Sequence, residues 1–356
     1  MYSALWLLPD NWYYAFRQYF IAQEIVMPAM INNMIFVVIN LLLNLLLVHG
    51  LSFGSVHWAG LGYIGSPLAT AISRILQFIC FLLYTMVWKK LHVKTWPPLE
   101  FKTFSKKRMA KFMRFALPTM VSNALEQWQL EIITLFATRL GTLALATQSG
   151  IFNVFYTLHC LIFGFSKATV VRVGHHLGAS RPQSAKQAAY ISVLIAAFCG
   201  VLVALILYFS SDFSGRIYSN DVDVVNLNGT VQWAVGLAYI AVCLMMSLTS
   251  TISGQGRPTI IAVLSAICTW GVSVPCSYVF TFPLKKGILG LWLGMLLGYS
   301  SIAILAAFLL FRSDWERYAE GAVLEANEAA GHSPQESGDT NDLQSSQVSE
   351  SEPLVQ

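Results

Sequence analysis

Apolar runs of about twenty residues, separated by short polar breaks, follow one another along most of the chain. A helix needs about that length to cross the hydrocarbon core of a bilayer. Eight segments qualify: Pro28–Val48, Ile64–Trp88, Phe115–Thr138, Leu140–Ser166, Gln187–Ser210, Asn228–Thr249, Pro258–Phe282 and Gly287–Phe311. Residues 4–22 form a ninth, weaker stretch, aromatic and broken by Pro9, that reads as the end of a helix. Backbone polar groups in lipid must find partners within the chain, and helices supply them. The pattern therefore predicts an all-α membrane protein, a polytopic helical bundle.

One segment breaks the uniform apolar pattern. Phe115–Thr138 carries Glu126 and Glu131, the two acids that fall within a predicted span. A charge at the bilayer centre costs about 2.5–3.5 kcal/mol on insertion scales, so such a residue is a candidate for function. At about 100° per residue, Thr119, Ser122, Asn123, Gln127, Thr134 and Glu131 fall between about −40° and +140° of Glu126. Val121, Leu125, Trp128, Ile132, Leu135 and Phe136 lie opposite. The expectation is a helix with one broad polar face toward a cavity and an apolar face toward lipid or neighbours. The carboxylates are about 7.5 Å apart along the axis, close enough to share a site but not a tight dyad. Each can hold a cation when ionised and a proton when neutral. The alternative is a pair satisfied by helix–helix hydrogen bonds. Pro118 opens this segment and reads as a bend that serves alternating access or as a static kink.

Other polar residues are sparse. Arg74 sits mid-span, either lining a cavity, pairing with an acid, or reaching backbone carbonyls and water. His159, inside an apolar run, reads as a hydrogen-bonded core residue. The pair His175-His176 has no third ligand at metal spacing, which argues against zinc. Trp128, Tyr156 and Phe155 offer stacking surfaces for a cationic drug.

Composition agrees with the pattern: 56% of the 356 residues are hydrophobic and 11% charged, against about 25% charged in a soluble domain. Residues 313–356 hold ten of the eighteen acids and one Arg, and read as a disordered acidic tail. The remainder has eight acids against twenty-one Lys and Arg. These lie between apolar stretches, which points to an anionic membrane surface and away from nucleic acid. With the basic connection 89–114 in the cytoplasm, seventeen Lys and Arg fall inside and four outside, which orients the set with a cytoplasmic C-terminus. The sequon Asn228-Gly-Thr230 then falls on the outer side, abutting a predicted helix. The six Cys lie in apolar stretches without metal spacing and read as small buried residues. No P-loop, dinucleotide-binding glycines, nucleophile elbow or Cys-x-x-Cys occurs. The sequence thus supports neither an enzyme nor a cofactor.

An internal echo is present: Gly62 and Gly65 recur as Gly287 and Gly290 before a later span, with Pro28 echoed by Pro258. Duplicated helix sets are a habit of secondary transporters. Taken in order, Gln23-Glu-Ile-Val-Met-Pro28, Lys89-Lys-Leu-His-x-x-Thr-Trp96, Leu125-Glu-x-Trp128 with Glu131, Arg172-Val-Gly-x-x-Leu-Gly-Ala179 and Gly254-Gln-Gly-Arg-Pro258 resemble the MATE family, the multidrug and toxin extrusion transporters, animal branch. The resemblance runs from about Leu8 to Trp315. It implies twelve helices in two six-helix lobes, here with the first lobe incomplete. Residues 1–88 would be the end of the fourth helix plus the fifth and sixth, 89–114 a basic cytoplasmic linker, and 115–312 the six-helix second lobe. About three and a half helices of the first lobe would be missing. Glu126, Glu131 and Trp128 match family positions in the seventh helix, where the acids exchange organic cations for protons. Val242 falls where animal members often carry a third acid, and Gly174-His175 replaces an expected Gly-Asn.

Three functions follow for testing. The first is a cation/proton antiporter in the plasma membrane. Its site would be Glu126, Glu131, Asn123, Gln127, Trp128 and Tyr156, and its partners small organic cations, protons and the lipid bilayer. The second is a non-transporting short form that associates with a full-length relative or with itself. The third is a lipid-linked sugar flippase, which would need more cavity Arg and Lys than Arg74 alone.

Overall fold

The computed structural model describes residues 6–23, 25–53, 56–93, 95 and 106–330. The chain divides into two units, Met1–Phe104 and Ser105–Gln356.

The first unit is built on three helices, α1 (Leu7–Ala22), α2 (Met27–Asn44) and α3 (Gly65–Leu82). The last two each run on into a π-helical turn, Leu45–His49 and Leu83–Trp88. After α2, Gly50 at φ 81° takes a conformation that only glycine adopts freely, which ends the helix and turns the chain back. A small hairpin follows, β1 (Leu51–Phe53) antiparallel to β2 (Val56–Trp58). It is a minor exception to the all-helical expectation. Tyr13 and Phe20 of α1 meet Phe81 of α3 edge to face, with centroids 5.2 and 5.8 Å apart, a preferred aromatic geometry.

The second unit contains α4 (Lys106–Arg139), α5 (Thr142–Gly178), α6 (Pro182–Phe209), the short α7 (Ser211–Tyr218), α8 (Val222–Gly254), α9 (Pro258–Ser265), α10 (Val274–Thr281), α11 (Ile288–Phe311) and α12 (Trp315–Ala330). At its centre lies α8, against α11, α6 and α5. The small side chains Ala234, Ala238 and Ala241 on α8 are buried in the core and let neighbouring helices close in. Val242 is buried in the same core.

The predicted span Pro258–Phe282 is one continuous path with a widened middle. Between α9 and α10 lies a π-helical segment, Ala266–Ser273. Pro275 follows immediately, lacks the N–H that an α-helix would use, and crowds the carbonyl four residues back. Against this path runs α11, whose Gly290, Gly294 and Gly298 leave no room for a Cβ beside Phe280, Ser277 and Ser273.

Among the described residues, seven helical segments are long and apolar enough to cross a membrane. The eighth expected span lies on α4, which forms as a helix but is too polar around Glu126 and Glu131 to qualify. Two boundaries differ from expectation. The basic stretch 89–114 is helical from Lys106 onward, so Pro118 lies inside α4 rather than at its start. Residues 315–330, expected in a disordered tail, form α12. Trp315, Tyr318, Ala319 and Ala322 pack with Val173 and Leu177 of α5 and Ala185 and Ala189 of α6. Their helical spacing makes an apolar stripe that the acid count conceals. The Arg257 guanidinium lies 4.9 Å over the Tyr318 ring. The acids from Glu336 onward lie outside the described residues.

Asn228 is 1% exposed. Its Nδ2 donates to the Ser211 carbonyl at 2.8 Å and to Ser214 Oγ at 3.1 Å. The sequon nitrogen is therefore a packing group, unavailable to a glycosyltransferase in the folded chain. Treatment with an N-glycosidase is expected to leave the electrophoretic mobility unchanged. All six Cys are free, with Cys243 and Cys268 buried as expected but Cys80 and Cys160 exposed.

Candidate functional site

The sequence predicts one broad polar face on α4, and the structure divides it. Ser122, Gln129, Ile133 and Ala137 are buried along one line of the helix, and Glu126 lies half-buried on that line. Asn123, Gln127 and Glu131, on the other edge of the stripe, are exposed. Such a stripe spans about half the helix circumference, more than one neighbouring helix covers.

The buried edge is tied to the broken span. Ser122 Oγ lies 3.0 Å from Ser265 Oγ, and Ser265 donates to Glu126 Oε1 at 3.5 Å. Gln129 Nε2 donates to Ser273 Oγ at 2.6 Å, and Trp270 Nε1 to the Leu125 carbonyl at 3.3 Å. Both serines are buried, and they bracket the π-helical segment. From α11, the buried Tyr299 comes within electrostatic reach of Glu126 and of Tyr156.

The other predicted residues are placed as follows. Gln127 Nε2 donates to the Tyr156 hydroxyl at 3.1 Å, joining α4 to α5. Trp128 is 60% exposed and Tyr156 45%. Asn123 and Glu131 make no hydrogen bond or ion pair among the described residues. Glu126 and Glu131 thus share no partner, and the arrangement is one seated carboxylate with a second beside it. On α5, His159 stands between Tyr156 and Phe163 at ring centroid distances of 6.1 and 6.3 Å. Its buried Nδ1 finds no partner among the described residues, unlike the hydrogen-bonded core histidine expected. No group of three His, Cys, Asp or Glu that could hold a metal occurs among the described residues.

Sequence reasoning missed Ser265, Gln129, Trp270, Ser273 and Tyr299. A signal existed for the serines. Ser265, Thr269, Ser273, Ser277 and Thr281 recur every four residues and are all buried. In the first unit, Arg74 pairs with Asp10 at 3.4 Å and donates to Gln77 Oε1 at 3.2 Å. Gln77 and Tyr13 both donate to Asn33 Oδ1. Of the roles open to Arg74, pairing with an acid is the one realised.

The family model MatE matches residues 118–279, which includes α4 from Pro118 and the whole of the Glu126–Ser265 arrangement. Multidrug and toxin extrusion protein 2 of Mus musculus is 30% identical over 310 residues, 87% of this chain and 52% of that protein. Multidrug and toxin extrusion protein 1 of Homo sapiens is 27% identical over 321 residues, 90% of this chain and 54% of its own length. The chain belongs to the MATE family. This MATE chain spans about half the length of those relatives. A crystal structure of a eukaryotic MATE transporter superposes with a TM-score of 0.80 at 24% identity, covering 90% of this chain and 70% of the other. The Vibrio cholerae MATE transporter VcmN in its bent form gives 0.70 at 17% identity, over 91% of this chain and 70% of that one. With its seven apolar helices, this MATE protein is a multi-pass membrane protein.

Proposed function

We propose that this chain carries the cation/proton exchange site of an antiporter that extrudes organic cations. The observation that carries the reading is the Glu126 carboxylate, seated within a helical bundle on the hydroxyl of Ser265, with no Lys or Arg paired to it among the described residues. A carboxylate left without a cation of the protein's own is ready for one from outside. Ionised, it holds an organic cation; protonated, it loses that attraction and the cation leaves. Exposed Tyr156, which accepts from Gln127 on the polar edge of α4, adds an aromatic face suited to flat cations, whereas Trp128 lies on the side of α4 away from Glu126. Glu131 adds a second carboxylate. Names of relatives that speak of multidrug and toxin extrusion support the substrate class. The basic connections support a cytoplasmic C-terminus, and extrusion would suit a plasma-membrane location.

The test is uptake of a fluorescent organic cation into cells or vesicles expressing the chain, with an imposed pH gradient. Uptake that reverses direction with the gradient is the expected result. A parallel arm joins the N-terminal helices of the mouse relative to this chain. Transport only in that arm would show that the exchange chemistry resides here but needs those helices. Gradient-independent uptake in both arms would sink the antiport reading. A flippase for lipid-linked sugars is disfavoured, because Arg74 is already answered by Asp10.

A further inference from the structure

The Glu126 carboxylate is held by a residue at a particular place. Ser265 is the last residue of α9, and the π-helical segment starts at Ala266. The Ser265 hydroxyl is 1% exposed and is shared between Ser122 Oγ and Glu126 Oε1. Two turns on, Gln129 and Ser273 close the other end of the same segment. Between the two clamps, Thr269 Oγ1 and Gln129 Oε1 are buried with no hydrogen-bond partner among the described residues. The seam between α4 and the π-helical segment is therefore incompletely satisfied, and a shift of pairing within it costs little.

We propose that Ser265 is the positioning residue that couples the state of Glu126 to the π-helical break, resting on the antiport reading of Glu126. An ionised Glu126 accepts a hydrogen bond from the Ser265 hydroxyl. When Glu126 takes up a proton it becomes a donor, and Ser265 must accept. The Ser265 hydroxyl then turns its own hydrogen to Ser122 Oγ or to the backbone. An organic cation on the carboxylate competes for the same lone pairs. Either event alters the contact that fixes α9 to α4 at the point where the helix changes its hydrogen-bond register. The elements packed on α4 and α9 carry these titratable or charged side chains: Tyr156, His159, Cys160, Lys167, Arg172, His175 and His176 on α5; Asp223, Tyr239 and Cys243 on α8; Cys268 in the π-helical segment; Cys276 and Tyr278 on α10; and Tyr299 on α11; α9 contributes none. Glu131 lies exposed on α4 itself.

The experiment has two readouts in the full chain. Ser265→Ala is expected to reach the membrane and to exchange cations with the pH midpoint moved upward by about half a unit to one unit, because a donated hydrogen bond favours the ionised carboxylate. Ser265→Thr keeps the hydroxyl and is expected to restore the midpoint. A midpoint unchanged in Ser265→Ala, with only the maximal rate lowered, would overturn the proposal. So would failure of Ser265→Thr to restore it. The second readout needs no transport: hydrogen–deuterium exchange of Ala266–Ser273 in detergent at about pH 5.5 and about pH 8, one acidic and one mildly basic condition. Wild type is expected to differ between the two, and Ser265→Ala and Glu126→Gln each to erase the difference. If that difference is present and lost as described while no cation exchange occurs, the antiport reading fails and the coupling stands. No pH difference in wild type would overturn the coupling by itself. Should Ser265→Ala fail to fold, Ser265→Cys, with its weaker donor, replaces it in both readouts.

Discussion

Glu126→Gln is expected to abolish the proposed proton-driven uptake of organic cations, with a fall on the order of 100-fold or more. The magnitude follows from charge: opposite charges about 4 Å apart attract by about 4 kcal/mol at the effective dielectric of a protein site, and each 1.4 kcal/mol is about tenfold. Gln keeps the shape of the side chain, and its amide oxygen still accepts from Ser265, as Glu126 Oε1 does at 3.5 Å. Folding and membrane expression should therefore survive while the ability to trade a proton for a cation is lost. Uptake, pH dependence and surface expression measured together separate the two effects. Glu131→Gln is the comparison. That residue is exposed and has no partner among the described residues, so its neutralisation is expected to weaken cation binding by about a few-fold rather than remove exchange. Unchanged uptake in Glu126→Gln would sink the mechanism. An equal loss in both variants would instead make the two carboxylates one shared site, which the split of the polar stripe argues against.

The largest expected effect on stability is that of Trp292→Ala. Trp292 is fully buried in the second unit. Its ring packs on Phe152 and Phe155 with centroids 5.7 and 5.5 Å away, and its Nε1 donates to Gln148 Oε1 at 2.9 Å. Removing so large a side chain leaves a cavity and costs about 3–5 kcal/mol. It also strands Gln148, whose Nε2 already has no partner among the described residues, so a second buried polar atom goes unpaired. In a unit of this size the loss corresponds to a fall in melting temperature of about 10 °C or more. Thermal denaturation of the detergent-solubilised chain, followed by size-exclusion chromatography, checks it. Trp292→Phe keeps much of the bulk and loses the N–H, so it should fall between. A melting temperature unchanged in Trp292→Ala would mean that α11 is not seated against α5 as described.

The placement of the long apolar helices was legible in the apolar runs, because a bilayer leaves few other ways to satisfy a backbone and imposes a minimum length. A carboxylate inside such a run was conspicuous for the same reason, and Glu126 stood out before any contact was known. Periodicity also placed Asn123, Gln127 and Glu131 on the same broad face. Which edge of that face packs and which stays open was not legible. That depends on Ser265, 139 residues further along the chain, whose approach no local pattern encodes. Nor does local pattern reveal that the span Pro258–Phe282 is widened in its middle: the preference of Pro275 and the close packing of Ser273 and Ser277 on glycines of α11 act together. The same holds for α12, where the acids suggested disorder but Trp315, Tyr318 and Ala319 found a groove between α5 and α6. Composition and period thus determined which apolar runs must be helical and which charges are out of place. Tertiary packing alone decided which hydroxyl meets which carboxylate, because that choice is made between helices and not along them.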